Sequence, residues 1–492
     1  MTRAKDTVLA SLARYSLSNF YRQAMSVAAL LIQPKLLPPE LYGLWSLLKM
    51  IPAYATYAHL GARDMARYAI PFHASRGEEE RNAAVRGAVM KGSLAANLGV
   101  AALTLPLALL PGLAPHERAG VAAAAAVVLL TWRFEYQLML LKADQDFRLI
   151  ARLNYLKSTA SVALSLGLIW FFGIWGLYAA AALTLAIPLV YMRNRHDWGP
   201  HGDFSFQVYK DLARKGLPIT LFEVISVLLM TSGRALVSWR LGNEQLGYFA
   251  LSAMVLSGLM QVPGAAREII EPRLMERMGQ GGGVAYADFF LKPLVNTAFY
   301  MPFLVTGVVA VFPSFCALYL PRYASGVPAV QVMALAAYCM ALVFVFRGLL
   351  VALDWQAGAI KLMVLLLGVN LAAGLAALEA GLGITGMAAV TAACCGLLAL
   401  LLTAYLARRM GGLPREWRGP LAASALAGLA LLVLAAGSEA LGRALALPAW
   451  ADWAPRLALC WLGMYLAVRL AAPRVPLLDA FSLKSLRRGG LQ

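Results

Sequence analysis

Residues 173–181 read "GIWGLYAAA", and residues 383–391 read "GITGMAAVT". The two stretches share a glycine, an isoleucine, a second glycine and an alanine at matching positions, 210 residues apart. A pattern that recurs once, so far along the chain, indicates two copies of one structural unit.

The composition defines the environment of that unit. The chain has 492 residues, of which 61% are hydrophobic and only 14% charged, with a mean hydropathy of +0.67. Such a sequence lacks the polar surface that a soluble domain presents to water. Apolar runs of roughly 20 residues, long enough to cross a ~30 Å hydrocarbon layer as a helix, recur along the whole chain. We therefore predict an all-α integral membrane protein, since a porin-type barrel would show short alternating strands.

The apolar runs predict fourteen membrane spans. Their bounds are 15–37, 42–66, 88–112, 119–141, 152–172, 174–192, 217–239, 246–270, 290–312, 327–352, 358–379, 381–405, 419–437 and 455–472.

The basic residues are distributed unequally between the two sides of these spans. If the N-terminus is cytoplasmic, 32 of the 43 Lys and Arg residues lie on its side, 6 lie on the opposite side and 5 lie inside spans. This asymmetry follows the positive-inside rule and predicts that both termini are cytoplasmic. The formal net charge of +18 then reflects topology and anionic membrane lipid rather than binding to nucleic acid.

The repeat extends beyond the two glycine-rich stretches. "ELYGLW" at 40–45 and "EQLGYF" at 244–249 are offset by 204 residues, and the Asp-aromatic pairs at 146 and 354 by 208. Each copy holds six spans, so both copies have the same orientation. We predict two lobes, 1–200 and 201–410, related by a pseudo-twofold axis along the membrane normal, with 411–492 as an appended helix pair and tail. Gly173 and Gly383 are predicted at tight turns between consecutive spans.

Several other features have simple interpretations. The first span is too long for a cleavable signal peptide and is interrupted by Arg22. The cysteines include no CxxC pair, and we interpret them as buried small apolar residues. "GQGGG" at 279–283 has no following Lys-Ser/Thr and is interpreted as a flexible linker rather than a phosphate loop. We predict no cofactor, no metal site and no enzymatic activity.

Charged residues inside spans are the candidates for function, because an ionised group at the bilayer centre costs ~2.5–3.5 kcal/mol on insertion scales. Span 1 has a polar face formed by Ser11, Tyr15, Ser18, Arg22 and Ser26, with Asn19 at its border. The other candidates are Lys49 and His59 in span 2, Arg133 and Glu135 in span 4, Glu223 and Arg234 in span 7, and Arg347 in span 10.

Some of these residues have structural alternatives. Arg22 and Arg347 are close enough to a cytoplasmic helix end to snorkel, and Arg133 can pair with Glu135 or another helix. His59 fits a packing role, and Glu223 is either a coupling carboxylate or a partner of Arg234. Lys49 and Arg234 are harder to explain structurally, because both lie in the outer half of the membrane.

The intramembrane cations outnumber the carboxylates. A wet cationic cavity between two lobes would suit a phosphate or pyrophosphate, with Arg as a bidentate partner and Lys as a point charge. We therefore predict a substrate-binding set of Arg22, Lys49, Arg234, Arg133, Arg347, Asn19 and His59, with Glu223 as a candidate coupling residue.

The stretch "LARKGLPITLFEVISVLLMTSGRALVSWRLGNEQLGYFAL" at 212–251 resembles the start of the second lobe in Wzx-type polysaccharide and O-antigen flippases. These belong to the multidrug/oligosaccharidyl-lipid/polysaccharide (MOP) superfamily. "LPPELYGLWSLL" at 37–48 and "LGARDMARYAI" at 60–70 are similar to the family's first lobe. One departure is Gly233, where family members often carry an Asp before the Arg.

The resemblance implies a substrate and a location. It implies an undecaprenyl-pyrophosphate-linked oligosaccharide moved from the cytoplasmic to the periplasmic leaflet of the bacterial inner membrane by alternating access. The expected partners are this lipid-linked glycan, membrane lipid, and a polysaccharide polymerase or glycosyltransferases, around a monomeric protein that binds no nucleic acid.

Other functions remain open at this point. A lipid II flippase would use the same cationic cavity for a different glycan. A MATE-like drug or ion antiporter would place carboxylates where this chain has Arg and Lys. A membrane glycosyltransferase or polymerase would need a catalytic carboxylate or a long outer loop, and a channel would need a repeated filter sequence.

Overall fold

A computed structural model describes residues 2–196, 198–279, 290–412 and 414–471. The regular structure of these residues is helical. The helices are α1 (Thr2–Leu36), α2 (Pro39–Leu48), α3 (Met50–Ala55), α4 (Ala62–Ser75), α5 (Glu79–Thr104), α6 (Pro115–Ala143), α7 (Phe147–Met192), α8 (Phe206–Gly279), α9 (Lys292–Tyr319), α10 (Val327–Ala352), α11 (Gln356–Glu379), α12 (Gly383–Arg409), α13 (Arg415–Leu445) and α14 (Ala449–Ala471). Short 3-10 helices cover Leu105–Leu109 and Pro321–Gly326.

Some predicted features lie outside this part of the chain. They are the glycine-rich linker from residue 280 onward, the basic C-terminal tail after residue 471, and the side chain of Ser11.

Nine helices in the described residues are long and apolar enough to cross a membrane. Two of them, α7 and α8, each cover two predicted spans. As one straight helix, the 46 residues of α7 would extend about 69 Å at 1.5 Å per residue, more than twice a ~30 Å hydrocarbon core, so they provide two spans. The remaining predicted spans fall on α1, on the short helices α2–α4 and on α14. The chain is thus a multi-pass helical membrane protein.

Single glycines divide the two longest helices. Gly173 bends α7 with φ 56° and ψ −132°, and Gly242 bends α8 with φ 84° and ψ 178°. An L side chain rarely adopts such positive φ angles, so glycine is required at both positions. Gly383, at the start of α12, has a φ of 59°. The prediction that Gly173 and Gly383 occupy turns between spans is confirmed.

The predicted continuous span 42–66 is wrong as a single helix. The chain forms α2 and α3 and then leaves the helical path until α4 begins at Ala62. Leu60 and Gly61 have φ angles of 52° and 90°, which no α-helix contains. The Nδ1 atom of His59 accepts a hydrogen bond of 2.9 Å from the Gly61 amide, and this contact stabilises the break.

The chain divides into two compact units, Met1–Val224 and Ile225–Gln492. The first turns of α8 belong to unit 1, where the Tyr209 hydroxyl donates to the His59 carbonyl at 3.1 Å. Thr220 Oγ1 donates to Asp64 Oδ2 at 3.0 Å. The finer division at 200 and 410 and the pseudo-twofold relation of the lobes stay predictions.

In unit 1, α1 packs along α7, and α6 lies between α7 and α5. The α1–α7 contact is built from rings and amides. Tyr15 faces Phe147 with ring centroids 5.5 Å apart, and Tyr21 faces Tyr155 at 5.0 Å. Residue numbers rise together along both helices, so they run in the same direction, as two odd-numbered spans must.

In unit 2, α9 packs against α10, α13 and α14, and α12 packs against α10 and α11. The last two helices therefore sit on α9, which agrees with their prediction as an appended pair. Four of the five cysteines are buried and Cys339 is half-buried, all as free thiols. This confirms their interpretation as small apolar core residues.

Candidate functional site

The candidate site is a cavity of about 240 Å³ inside unit 1. It lies between the α2–α3 junction, α6 and both halves of α7, with Gln33 of α1 at its edge. Its polar lining includes Lys49, Lys157, Ser161 and Ser165. Most of the remaining lining is apolar, so a charge in this cavity meets few competing groups.

Lys49 lies at the junction between α2 and α3. It is both the C-cap residue of α2 and the N-cap residue of α3. Its Nζ atom lies 5.4 Å from the centre of the Trp45 ring, within the range of a cation–π contact. The Trp45 ring in turn lies 6.1 Å from the Tyr178 ring. The hydroxyl of Tyr178 donates to the His116 carbonyl at 3.0 Å. A chain of aromatic contacts thus positions the ammonium on the cavity wall.

Lys157 is a site residue that reasoning from the sequence did not identify. The positive-inside count places it with the cytoplasmic basic residues at the edge of span 5. The structure instead places it half-buried inside α7, lining the same cavity as Lys49. Its Nζ atom lies 4.1 Å from the centre of the Phe134 ring. The signal was a polar helical face at Asn154, Ser158, Ser161 and Ser165, spaced by three or four residues.

Arg22 and Glu135 both interact electrostatically with the Lys157 ammonium. Arg22 is exposed on α1, whereas Glu135 is half-buried on α6. Lys157 therefore lies between a second cation and a carboxylate. A bound anion would gain attraction from Arg22 and Lys157 and would compete with Glu135 for them.

Asn19 lies in a polar contact between α1 and α7. The Asn154 amide donates to Ser18 Oγ and to Asn19 Oδ1, each at 3.1 Å. One turn further along, Tyr21 and Thr159 share a hydrogen bond of 2.9 Å. These bonds fix the register of the two helices that carry Arg22 and Lys157.

His59 is 2% exposed, and both its ring nitrogen Nδ1 and its carbonyl are engaged in the contacts described above. This geometry is that of a packing histidine. Glu223, half-buried on α8, interacts electrostatically with His59. The coupling carboxylate and the histidine predicted from the sequence are thus neighbours in unit 1.

Arg133 on α6 is not among the residues that line the cavity. It interacts electrostatically with Tyr136 and His201. Nearby, Arg86 Nη2 donates to Asp144 Oδ1 at 2.8 Å and Nη1 donates to the Trp198 carbonyl at 2.9 Å. Arg133 and Glu135 therefore face different groups, although they are almost adjacent in sequence.

Arg234 and Arg347 belong to unit 2. Arg234 is half-buried on α8, and Arg347 on α10 is only 5% exposed. This burial argues against the snorkelling interpretation of Arg347. A Cβ on Gly233, the residue before Arg234, would lie 2.9 Å from Met387 Cε, so a larger residue there requires the Met387 side chain to shift. The predicted set thus divides between the units, with Asn19, Arg22, Lys49, His59, Arg133 and Glu223 in unit 1 and Arg234 and Arg347 in unit 2.

Within the described ranges, no group of three or more His, Cys, Asp or Glu side chains is arranged to hold a metal ion. The candidate site and its surroundings present ammonium, guanidinium, hydroxyl and aromatic groups. Together these groups are suited to an anionic ligand that also presents hydroxyls or apolar surface.

Comparison with known proteins gives one family match and a set of structural neighbours. Residues 113–274 match the family model of a polysaccharide biosynthesis protein. This segment contains α6, α7 and most of α8, including Lys157, Glu223 and Arg234. No curated protein matches the chain in sequence.

Three solved structures illustrate the shared fold. An inward-facing multidrug resistance MATE family transporter of the MOP superfamily has a TM-score of 0.62 at 15% identity, covering 80% of this chain and 98% of that one. The lipid II flippase MurJ, in an inward closed conformation, has a TM-score of 0.66 at 11% identity, covering 93% and 98%. A MOP superfamily transporter from Pyrococcus furiosus, with a binding pocket of reverse polarity, has a TM-score of 0.57 at 16% identity, covering 82% and 95%.

The structural neighbours share a fold that spans nearly their whole length, and the family match adds a relationship in sequence. Together they confirm the resemblance stated for residues 212–251, and the chain has the fold of the MOP superfamily.

Proposed function

We propose that the protein is a flippase for a lipid-linked oligosaccharide, which it moves between membrane leaflets by alternating access. The cargo would be an undecaprenyl-pyrophosphate-linked glycan, taken from the cytoplasmic leaflet and delivered to the periplasmic leaflet of a bacterial inner membrane. Both termini would be cytoplasmic, as the positive-inside asymmetry indicates. In this role the protein transports its ligand and leaves it chemically unchanged.

The observation that carries the proposal is the charge of the unit 1 cavity. Two lysines, Lys49 and Lys157, line it, and the described lining contains no carboxylate. A pyrophosphate diester carries two negative charges and needs such partners in a region that water reaches poorly. A cationic drug would instead be repelled from this cavity. The match of 113–274 to a polysaccharide biosynthesis family supports a glycan cargo.

In the proposed cycle, Arg22, Lys49 and Lys157 hold the pyrophosphate from unit 1, and Arg234 holds it from unit 2 at a different stage. Arg133 and Arg347 set the electrostatic potential near the cytoplasmic end. Asn19 and His59 stay in the proposed set, with the contacts described above limiting His59 to its remaining ring nitrogen. Glu223 is the proposed coupling carboxylate.

The proposal is tested with Lys49→Gln, Lys157→Gln and Arg234→Gln in a strain whose own flippase gene has been deleted. Each loss of a charge-assisted contact is worth about 1.5–3 kcal/mol, or roughly 10–100-fold in affinity. We expect surface polysaccharide to fall sharply in each variant, while the exposed Lys210→Gln serves as a matched control. Full polysaccharide in all three variants would contradict the assignment of the site.

A lipid II flippase is a second candidate function, because the fold of MurJ covers 93% of this chain. The same pyrophosphate chemistry would apply to a different glycan. Expression in a strain depleted of its lipid II flippase separates the two, since growth would be rescued only if lipid II is the cargo. Binding of cationic dyes by the purified protein would instead favour a drug antiporter.

A further inference from the structure

A second cationic feature lies in unit 1 where α1 passes the first turns of α7, outside the cavity that carries the proposed function, and the positive-inside asymmetry predicts that this end is cytoplasmic. It is a cleft of about 380 Å³ between α1 and α7, which we name the entry cleft. Its lining consists of Arg14, Arg148, Ala151, Arg152 and Tyr155. The three arginines are exposed, and Tyr155 is half-buried.

The entry cleft is formed by two helices, α1 and α7, that pack tightly against each other. Tyr155 faces Tyr21 of α1 with ring centroids 5.0 Å apart, and Tyr15 faces Phe147 at 5.5 Å. The Asn154 hydrogen bonds to Ser18 and Asn19 lie beside it. The arginine Cα positions are therefore set by packed helices rather than by a mobile loop, which favours a defined binding geometry.

The acidic residues nearest to Arg148 along the chain are committed to other partners. Asp144 accepts from Arg86 at 2.8 Å and lies 3.1 Å from His196 Nε2. Asp146 accepts from the Leu149 amide at 3.0 Å and lies 3.4 Å from His196 Nδ1. Neither carboxylate lines the cleft. The arrangement therefore concentrates three positive charges on one small opening.

Guanidinium groups at a membrane surface are suited to phosphate, because they donate paired hydrogen bonds to its oxygens and keep their charge at any physiological pH. A tyrosine beside them adds a hydroxyl and an aromatic face. Three positive charges complement the two negative charges of a pyrophosphate diester better than the single charge of a phospholipid phosphodiester. The ligand that best fits the entry cleft is thus a pyrophosphate at the level of the cytoplasmic headgroups.

The cleft also lies at the start of a path. Eight residues beyond Arg14 on α1 is Arg22, and nine residues beyond Arg148 on α7 is Lys157. At 1.5 Å per residue, both are about 12–14 Å deeper along the same helix pair. Arg22 and Lys157 are near enough to interact, and Lys157 lines the cavity that also holds Lys49.

We infer that the entry cleft is the first binding site for the pyrophosphate of the lipid-linked substrate in the cytoplasmic leaflet. From it, the substrate passes along α1 and α7 to Arg22 and Lys157. This inference rests on the proposed function, since it assigns the loading step of the same transport cycle.

The test uses the full-length protein in nanodiscs of phosphatidylcholine and a fluorescent short-chain polyprenyl pyrophosphate as the probe. We expect Arg148→Gln/Arg152→Gln to weaken probe binding about tenfold. Arg148→Lys/Arg152→Lys should restore part of that loss, because charge is kept while the paired geometry is lost. The matched control is Arg193→Gln/Arg195→Gln, which removes two exposed arginines outside the cleft and should leave binding unchanged.

Two results would overturn the inference. One is equal binding by the wild type and the cleft variant, or an equal loss in the control pair. The other concerns a separate titration with phosphatidylglycerol. The inference fails if the cleft variant no longer binds phosphatidylglycerol but still binds the pyrophosphate probe as tightly as the wild type does. Failure of the proposed function has a different signature, because the wild type itself would then not bind the probe. In the same nanodiscs, Lys49→Gln/Lys157→Gln should still bind the probe, because its entry cleft is intact, and loss of binding equal to that of the cleft variant would also overturn the inference.

Discussion

Gly61 and Gly216 press their backbones directly against each other, one at the start of α4 and the other in the first turns of α8. A Cβ atom on either residue would lie less than 3.0 Å from backbone atoms of the other. Both glycines belong to the sequence stretches that carry the family resemblance, "LGARDMARYAI" and "LARKGLP". The resemblance therefore includes a physical constraint, namely the close approach of two segments that are far apart along the chain of unit 1.

The first prediction concerns this contact. Gly216→Ala places a methyl group against the Gly61 carbonyl, where the neighbour is backbone and cannot move aside. We expect a loss of about 1–3 kcal/mol in the free energy of unfolding, as for other overpacked sites. Thermal unfolding in detergent measures this. Gly99→Ala is the control, because no atom lies within 4 Å of its added Cβ, and its stability should equal or exceed that of the wild type.

A second prediction concerns the missing aspartate before Arg234. Gly233 and Gly374 leave room for the side chain of Met387, which would lie 2.9 Å and 2.7 Å from a Cβ atom added to the two glycines. Gly233→Asp should therefore lower the unfolding temperature, because it displaces Met387 and buries a carboxylate. Met387→Ala in the same chain should recover the steric part of that loss. If Gly233→Asp is as stable as the wild type, the interface between α8 and α12 can accommodate the added side chain, and the prediction is wrong.

The third prediction concerns the attachment of the last two helices. Arg456 on α14 is nine-tenths buried, donates to Asp452 Oδ2 at 2.9 Å and lies 3.4 Å from Glu439 Oε1 on α13. Arg456→Met leaves the buried Asp452 carboxylate without its cation, which costs about 3–5 kcal/mol for a buried pair. We expect limited proteolysis to cut between α12 and α13 more readily in this variant.

Arg443→Met is the control for that experiment. Arg443 is 83% exposed and lies 4.0 Å from the same Glu439 carboxylate, so its loss should cost about 0–1 kcal/mol. Equal proteolysis of the two variants would mean that the buried arginine does not stabilise the attachment.

The fourth prediction is a pH dependence. Burial lowers the pKa of His201 from its ordinary value of 6.5, and the charges of Arg86 and Arg133 act in the same direction. The unfolded chain therefore binds a proton near pH 6.5, whereas the folded chain binds it only at a lower pH. Stability should fall as the pH drops below about 6.5 and should level off once the folded group also titrates.

Unfolding temperatures between about pH 7.5 and pH 5.5 measure this slope, and His201→Gln should flatten it. Glu78 acts in a lower range, because its hydrogen bond with His73 and the charge of Arg81 lower the pKa of its carboxyl below 4.5. Its contribution is lost only as the pH falls through that lowered value. An unchanged slope in His201→Gln would assign the effect to another group.

The sequence predicted the parts of this fold that depend on a property summed over many residues, such as hydropathy. Hydropathy over some twenty residues located the spans, because every apolar residue in the window contributes to the transfer free energy. The turns at Gly173 and Gly383 were also predicted, since glycine is the residue that tolerates a positive φ.

Features set by single contacts could not be predicted in the same way. The break at 56–61 depends on the His59 ring accepting from the Gly61 amide, and hydropathy does not register one hydrogen bond. Counting positive charges assigns Lys157 to the cytoplasmic side, because the count places every lysine near a span edge outside the membrane. The polar face of α7 near Lys157, formed by Asn154 and three serines, was visible in the sequence. Only tertiary packing shows which residues of other helices contact that face.

The sharp bends at Gly173 and Gly242 also determine where a reporter can be attached. At each bend a single glycine connects two helices, with no loop between them. An epitope inserted there would push the two helices apart. The connection between α5 and α6 is different, since Gly112 is exposed and an added side chain would meet nothing within 4 Å. A tag inserted there would mark the predicted periplasmic side while both bent helices stay whole.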